Sequence, residues 1–166
     1  MSIRLAVEPL TPEAFRPFGT VIAPDPSTVR MINGGSTTRF HALAEAEALG
    51  PDAKVIISLF RGKPRRFPYQ VDMMERHPLG SQSFSPLGHH PFLVVVAEDH
   101  GGTPATPRVF RAEGGQGVNY RPNVWHHPLM ALGEETDFLV VDRDGPGNNL
   151  EEYSYPALFV IEEATP

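Results

Sequence analysis

The stretch FLVVVA (Phe92–Ala97) is the most apolar segment of the chain, and it decides what kind of fold the sequence predicts. Phenylalanine and valine favour extended structure, because aromatic and β-branched side chains pack well on a pleated surface. Two histidines and a proline precede the stretch, and Gly101 and Gly102 follow it closely. FLVVVA therefore predicts a short strand between loops. His89 and His90 before it are interpreted as part of a loop, with a second metal-binding pair as the alternative.

Other segments of the same character occur along the whole chain. They are VIISLF (residues 55–60), RVF (108–110), DFLVVD (137–142) and ALFVIE (157–162). Most are bounded by turn residues, since 18 prolines and 15 glycines are spread through the sequence rather than gathered in one tract. Many short strands with little between them favour an antiparallel barrel or jelly roll over an alternating βαβ fold.

Only two short helices are predicted. The first begins after Thr11, which is a good N-cap before Pro12, and it must end early because Pro17 and Gly19 follow. The second covers HALAEAEAL (residues 41–49), which is rich in alanine and glutamate. The predicted fold class is therefore all-β, a jelly-roll β-barrel with a few short helices.

Composition limits the classes of function. A chain of 166 residues fits one domain, residues 1–166, and its formal net charge of −6 argues against a nucleic-acid partner or an anionic membrane surface. The absence of cysteine excludes disulfides, thiol nucleophiles and cysteine-based zinc sites. No secretory leader and no run long enough to span a membrane occur, so we expect a cytoplasmic protein.

The segment MERHPLGSQSFSPLG (residues 74–88) contains the first group of residues suited to chemistry. If its start is extended, Glu75 and His77 point to the same face of the strand, because side chains alternate. A turn at residues 78–80 then resets the register, and Gln82 returns to that face.

The segment GQGVNYRPNVWHHPL (residues 115–129) contains the second group. On a strand, His126 and His127 must point to opposite faces. At most one of them therefore faces a barrel interior, and the other faces solvent or a partner subunit.

Glu75, His77 and one of the two adjacent histidines form a set of two imidazoles and one carboxylate. Such a set can hold a divalent metal and leave positions open for a substrate. The plainer alternative is that Glu75 is a solvated strand charge and His77 a turn residue before proline.

Arginines supply possible anion ligands. Arg39, Arg61 and Arg143 each lie in or beside a predicted element, and arginine suits bidentate binding of a carboxylate. Asn33, before two glycines, predicts a turn or a loop that offers an amide to a ligand. An exposed position is the alternative for each arginine. The glycine-rich stretches lack the Gly-Lys-Ser/Thr ending of a phosphate loop, and no G-x-S-x-G nucleophile motif occurs.

Five segments, taken together and in order, resemble the ureidoglycolate lyase family over residues 10–143. They are LTPEAFRPFGTVI, INGG followed by RFH, ERHPLGSQSFSPL, GQGVNYRPNVWHHPL and DFLVVDR. The resemblance implies a cupin-type jelly roll that is a homodimer. It also implies a carbon–nitrogen lyase that splits (S)-ureidoglycolate into glyoxylate and urea. A divalent metal, nickel among others, is implied as well, and no organic cofactor.

The resemblance also assigns roles to residues. It favours His126 over His127 as the pocket residue. With that choice, we expect His77 and His126 to act as base and metal ligands and Glu75 as a further ligand or proton relay. Relative to the general cupin pattern, Glu75 stands where a histidine is usual and Gln82 where a glutamate is usual. Our hypothesis for the substrate ligands is that Gln82 orients the substrate and that Arg39 or Arg61 binds its carboxylate, with Asn33 and Tyr120 as further ligands.

Three other functions remain open. An amidohydrolase acting on the same substrate would release ammonia in place of urea. A metal-dependent dioxygenase also uses two histidines and a carboxylate, and it would bind iron and consume oxygen. A cupin-like module without activity would bind small carboxylates and turn nothing over.

Overall fold

The computed structural model describes residues 2–166, which form two main β-sheets. The larger is eight-stranded. Its strands, in their order across the sheet, are β1 (Ser2–Arg4), β17 (Glu151–Ile161), β7 (Tyr69–Arg76), β14 (Trp125–His126), β9 (Phe92–Ala97), β12 (Arg108–Ala112) and β2 (Val7–Pro9), and β15 (Met130–Ala131) also pairs with β9. Most of its pairs are antiparallel, and only the short strands β1 and β2 pair in parallel.

The smaller sheet is five-stranded and antiparallel. Its order is β3 (Gly19–Ile22), β13 (Gly117–Tyr120), β8 (Gln82–Pro86), β16 (Thr136–Asp144) and β6 (Lys54–Gly62). Two hairpins lie apart from the sheets: β4 (Val29–Ile32) with β5 (Thr37–Phe40), and β10 (Asp99–His100) with β11 (Thr103–Pro104). The helices are α1 (Pro12–Phe15) and two 3₁₀ turns, Pro26–Thr28 and Asn33–Gly35.

The β9 strand is buried on both faces, which explains its continuous apolar sequence. Phe92, Val94 and Val96 belong to a core cluster that also contains side chains of the smaller sheet. The alternate residues Leu93 and Val95 belong to a second cluster on the other face. Each such side chain contributes about 1.5–3 kcal/mol by burial, so this strand anchors both halves of the core.

The predicted strands are confirmed, with small differences at their ends. The 55–60, 92–97, 108–110 and 137–142 segments lie within β6, β9, β12 and β16. The last strand is longer than predicted, because it begins at Glu151 and ends at Ile161. The first helix is also confirmed, since the amide of Ala14 donates to Thr11 Oγ1 over 3.2 Å.

The helix predicted for residues 41–49 is wrong, because that segment is irregular. Its backbone bonds to a distant part of the chain instead: Leu49 N donates to Leu79 O over 2.8 Å, and Glu47 O accepts from Ser81 N over 3.0 Å. Ala42 has a φ of 50°, which interrupts a right-handed helix. The intrinsic helix preference of alanine and glutamate is worth only tenths of a kcal/mol per residue, so these tertiary bonds outweigh it.

The architecture is an all-β, cupin-like fold, as the sequence predicted. Within residues 2–166, no helix combines the length and the apolar character needed to cross a membrane.

Candidate active site

Strand pairing places Glu75 directly opposite His126. The two residues are register partners where β7 and β14 pair, and His126 Nε2 lies 3.6 Å from Glu75 Oε1. His77 follows β7 by one residue, and its Nε2 lies 3.8 Å from the same oxygen. One ligand atom from each of the three side chains lies within 4.8 Å of the other two. The three residues that the sequence suggested are therefore brought together.

Backbone carbonyls fix the orientation of both imidazoles. His126 Nδ1 lies 2.9 Å from Val124 O, and His77 Nδ1 lies 2.8 Å from Asn149 O. Since a carbonyl only accepts, each Nδ1 carries the hydrogen, and Nε2 is the atom that gains or loses a proton. Both Nε2 atoms are buried and have no hydrogen-bond partner. They therefore present lone pairs to the space beside Glu75.

The charge of Glu75 suits this arrangement. Burial raises the pKa of its carboxyl, but the adjacent His126, with His77 beyond it, outweighs burial and lowers that pKa below the usual value. An ionised carboxylate and two unpartnered imidazole nitrogens thus converge on one space. Such a group is stable only with a cation or a shared proton between its members. It fits a divalent metal, because orienting a ligand through its second nitrogen is typical of metal-binding histidines.

Tyr120 packs flat against His126. The two rings are stacked, with centroids 4.4 Å apart and planes at 10°. Burial raises the pKa of the Tyr120 hydroxyl, with the Glu75 charge as a second cause, so the phenol is neutral at physiological pH. The stack fixes the plane of the His126 ring, which is only 2% exposed.

His127 points to the opposite face, as strand alternation requires. Its Nε2 lies 3.2 Å from the hydroxyl of Tyr69, and the two rings meet edge to face. The expectation that the second histidine faces solvent or a partner is wrong, because Tyr69 covers it and it is only 5% exposed. Burial lowers the pKa of this imidazole, so it is neutral at pH 7. His126, and not His127, is thus the histidine that lies beside Glu75 and His77.

Gln82 lies at the border of two cavities. One, of about 580 Å³, is lined by Glu75, Gln82 and residues 60–65. The other, of about 310 Å³, is lined by His77, Gln82 and Asp142 among others. Gln82 Nε2 donates to Asp142 Oδ2 over 3.2 Å, while Gln82 Oε1 and Asp142 Oδ1 are buried without a partner. The register reset after residues 78–80 does return Gln82 to the site.

Cationic side chains line the larger cavity. Arg61 is among them, but it forms a bidentate ion pair with Asp137 at 2.7 and 3.0 Å, so much of its charge is already neutralised. Lys63 and Arg65 also line this cavity. Neither forms an ion pair with another of the described residues.

Two other predicted residues lie elsewhere. Arg39 is exposed on β5, and Asn33 is exposed in the turn of the same hairpin. Neither lines the two cavities beside Glu75. Arg143 does line the smaller cavity, but it is buried and its guanidinium donates to the carbonyls of Leu49, Gly145 and Pro146. Arg143 therefore holds loops together rather than binding an anion.

Sequence reasoning missed Asp142, Lys63 and Arg65 at the site. Asp142 was detectable, because it continues the inward alternation of Phe138 and Val140, both fully buried. Lys63 and Arg65 follow a strand in a loop, and the sequence carries no pattern that places such a loop over a cavity.

An all-β, cupin-like fold with a partly buried cluster of two histidines and one carboxylate between two cavities defines a class of small-molecule-binding barrel proteins. The comparison with known proteins is more specific. The family model described as ureidoglycolate lyase matches residues 2–162, and the chain belongs to that family.

Relatives match over nearly their whole length. A ureidoglycolate lyase of Rhizobium etli (strain CIAT 652) is 69% identical over 159 residues, which is 96% of each chain. The ureidoglycolate lyase 1 of Rhizobium meliloti (strain 1021) is 65% identical over 163 residues, 98% of this chain and 96% of the relative. A ureidoglycolate lyase of Brucella anthropi is 57% identical over 151 residues, 91% of this chain and 89% of its own.

Proposed function

We propose that this chain is a carbon–nitrogen lyase that cleaves (S)-ureidoglycolate into glyoxylate and urea. One observation carries the proposal: Glu75, His77 and His126 converge between two cavities in a chain that matches ureidoglycolate lyases almost end to end. In this proposal, residues 1–166 form a single domain.

The reaction is an elimination that moves one proton from oxygen to nitrogen. The reacting carbon of the substrate carries a carboxylate, a hydroxyl and the ureido nitrogen. When the hydroxyl loses its proton, its electron pair forms the carbonyl of glyoxylate. The carbon–nitrogen bond breaks, and its electrons and the proton go to the nitrogen, which leaves as urea. No water, oxidant or nucleophile is needed, so the absence of cysteine is no obstacle.

His126 is suited to carry that proton. Its Nδ1 is occupied by a carbonyl, so Nε2 accepts the hydroxyl proton and returns it to the departing nitrogen. Glu75, 3.6 Å away, stabilises the imidazolium that forms between these steps. The stack on Tyr120 keeps the ring in one plane during the transfer. His77 is the second imidazole of the centre, on the side of the smaller cavity.

The same three side chains are the natural ligands of a divalent cation, nickel or another. Such a cation would supply positive charge beside the hydroxyl oxygen and so lower its pKa. In that state Glu75, His77 and His126 would hold the ion through the Nε2 atoms that the backbone carbonyls leave available. His126 Nε2 would then be a ligand and not the proton acceptor, so the base role of His126 belongs to the metal-free site.

We infer a homodimer formed through β6. This strand is one edge of the smaller sheet. Its outward residues are apolar and exposed, Val55 to 48%, Ile57 to 71% and Leu59 to 63%, where an outward face is normally polar. A long apolar edge pairs readily with another strand, and a second copy of β6 related by a twofold axis is self-complementary. Arg39 and Asn33 remain predicted substrate ligands only if such a partner brings their hairpin near a cavity.

Separate measurement of three products tests the proposed reaction. The purified protein is incubated with (S)-ureidoglycolate, with and without prior chelation, and glyoxylate, urea and ammonia are followed. We expect equal glyoxylate and urea without ammonia. Release of ammonia in place of urea would identify an amidohydrolase instead. Consumption of oxygen by an iron-loaded sample would identify a dioxygenase. Saturable binding of glyoxylate without turnover would identify a binding module.

A further inference from the structure

Two acceptor atoms on the floor of the smaller cavity lack donors. Gln82 Oε1 and Asp142 Oδ1 are both buried, and no N–H or O–H group of the described residues reaches either. Their partner atoms bind each other, because Gln82 Nε2 donates to Asp142 Oδ2 over 3.2 Å. That bond ties the two side chains together and leaves one free acceptor on each. A buried acceptor without a donor costs about 1–3 kcal/mol, so the pair is built to receive a donor.

Only one end of the substrate can satisfy this pair. The substrate carboxylate has acceptor atoms only, so it would place oxygen against oxygen. The ureido end carries one N–H and a terminal NH₂, and hence three hydrogens that can be donated. A ureido group can therefore donate hydrogen bonds to two neighbouring acceptors, as the NH₂ group of an asparagine or glutamine side chain can.

Charge favours an orientation in which the substrate carboxylate points towards the larger cavity. Asp142 lines the smaller cavity, where a second carboxylate beside it would be repelled. Arg143 also lines this cavity, but its guanidinium already donates to three backbone carbonyls. Glu75 lines the larger cavity, where cations offset its charge. The larger cavity carries Lys63 and Arg65, which have no ion-pair partner among the described residues. Gln82 borders both cavities, so a molecule that spans them places its central carbon near the cluster of His77, His126 and Glu75.

We propose that Gln82 and Asp142 form the ureido-binding subsite, and that the substrate lies with its carboxylate towards Lys63 and Arg65. This inference rests on the proposed function, because it takes the substrate from that reaction. It makes Asp142 a specificity-determining residue that selects a terminal NH₂ group. It also explains why a strand aspartate lies turned inward, level with buried core residues of β16.

Two unreactive ligands test the subsite without turnover. N-carbamoylglycine has the carboxylate and the ureido group but lacks the hydroxyl, so it cannot undergo the elimination. N-acetylglycine has the same shape, with a methyl group in place of the terminal NH₂. Their dissociation constants are measured by calorimetry or by NMR titration. The wild-type protein is expected to bind N-carbamoylglycine roughly tenfold more tightly, since the methyl group leaves an acceptor unpaired.

Variants assign the preference to named residues. Asp142→Asn turns an NH₂ group towards the ligand, and Gln82→Met removes the other acceptor, so each is expected to abolish the preference for N-carbamoylglycine. The double variant Lys63→Gln/Arg65→Gln is expected to weaken both ligands equally and to keep the preference. Asp144→Asn is the matched control, because Asp144 lies two residues from Asp142 on the same strand and is exposed.

Each outcome decides one claim. Equal affinity of the wild-type protein for the two ligands, or a preference that survives in both Asp142→Asn and Gln82→Met, would overturn the subsite. Conversion of ureidoglycolate by a protein that shows no preference would leave the proposed function standing and refute this inference alone. A preference for N-carbamoylglycine without conversion of ureidoglycolate would refute the proposed function and support the subsite.

Discussion

His126 and Glu75 are register partners on adjacent strands, and the pairing holds His126 Nε2 3.6 Å from Glu75 Oε1. Backbone hydrogen bonding between β7 and β14 therefore fixes the distance between the carboxylate and one imidazole of the candidate site. The outer side of the same two strands is fixed as well. Arg76 stacks over the Trp125 ring at 4.2 Å, and both side chains bind Asp99.

Metal binding is predicted to depend on the three-residue cluster. His77→Ala is expected to weaken the binding of Ni²⁺ by more than about tenfold, because even residues that only orient a ligand contribute ten- to a hundredfold. Equilibrium dialysis followed by elemental analysis measures the bound ion. His100→Ala, which alters an exposed histidine on β10, is the control. Equal nickel content in wild type and His77→Ala would show that the ion binds elsewhere.

The β6 edge is predicted to hold two chains together. Replacing Ile57 and Leu59 by aspartate puts like charges on both sides of the twofold axis, so the dimer is expected to dissociate into monomers. Light scattering coupled to size-exclusion chromatography reads the mass. Ile3→Asp, on a strand of the larger sheet, should leave the dimer intact. A wild-type protein that is monomeric at micromolar concentration would remove the basis for this interface.

Stability is predicted to depend on pH through Asp99. Hydrogen bonds from Trp125 and Gly102 lower the pKa of this carboxyl, with Arg76 as a further cause, below the usual value of 3.8. A group with a lowered folded pKa stabilises the fold above its unfolded pKa, and that contribution is lost as the pH falls through the folded pKa. Asp99→Asn should therefore destabilise the protein at pH 6 and much less at pH 2.5.

Urea unfolding at the two pH values measures this difference. Asp144→Asn is the control, since Asp144 is exposed and makes no side-chain hydrogen bond among the described residues. A destabilisation by Asp99→Asn that is equal at both pH values would mean that the carboxylate charge contributes nothing.

The fold was predictable because the sequence signals that mark its strands are local. FLVVVA and DFLVVD are strands in the structure, and their β-branched residues and flanking turns are properties of neighbouring residues. The helix predicted for residues 41–49 failed for the opposite reason. Its backbone bonds to Leu79 and Ser81, at least thirty residues away, and no local propensity reports such contacts.

The site was predictable in part for the same reason. Strand alternation correctly put Glu75 and His77 on one face and separated His126 from His127. Alternation could not say which face is the interior, so the choice of His126 came from the resemblance. The sequence could not show that Arg61 is already paired, since its ion pair with Asp137 depends on the pairing of β6 with β16.

The central claim is that the cluster around Glu75 is the reaction centre, and two adjacent histidines test it most directly. Both are buried, so His126→Ala and His127→Ala remove similar packing, but only His126 faces Glu75. The turnover of (S)-ureidoglycolate is measured for both variants below their melting temperatures. We predict that His126→Ala loses at least about a hundredfold in kcat and that His127→Ala stays near the wild-type value. Near-normal turnover in His126→Ala, or an equal loss in both variants, would contradict the account.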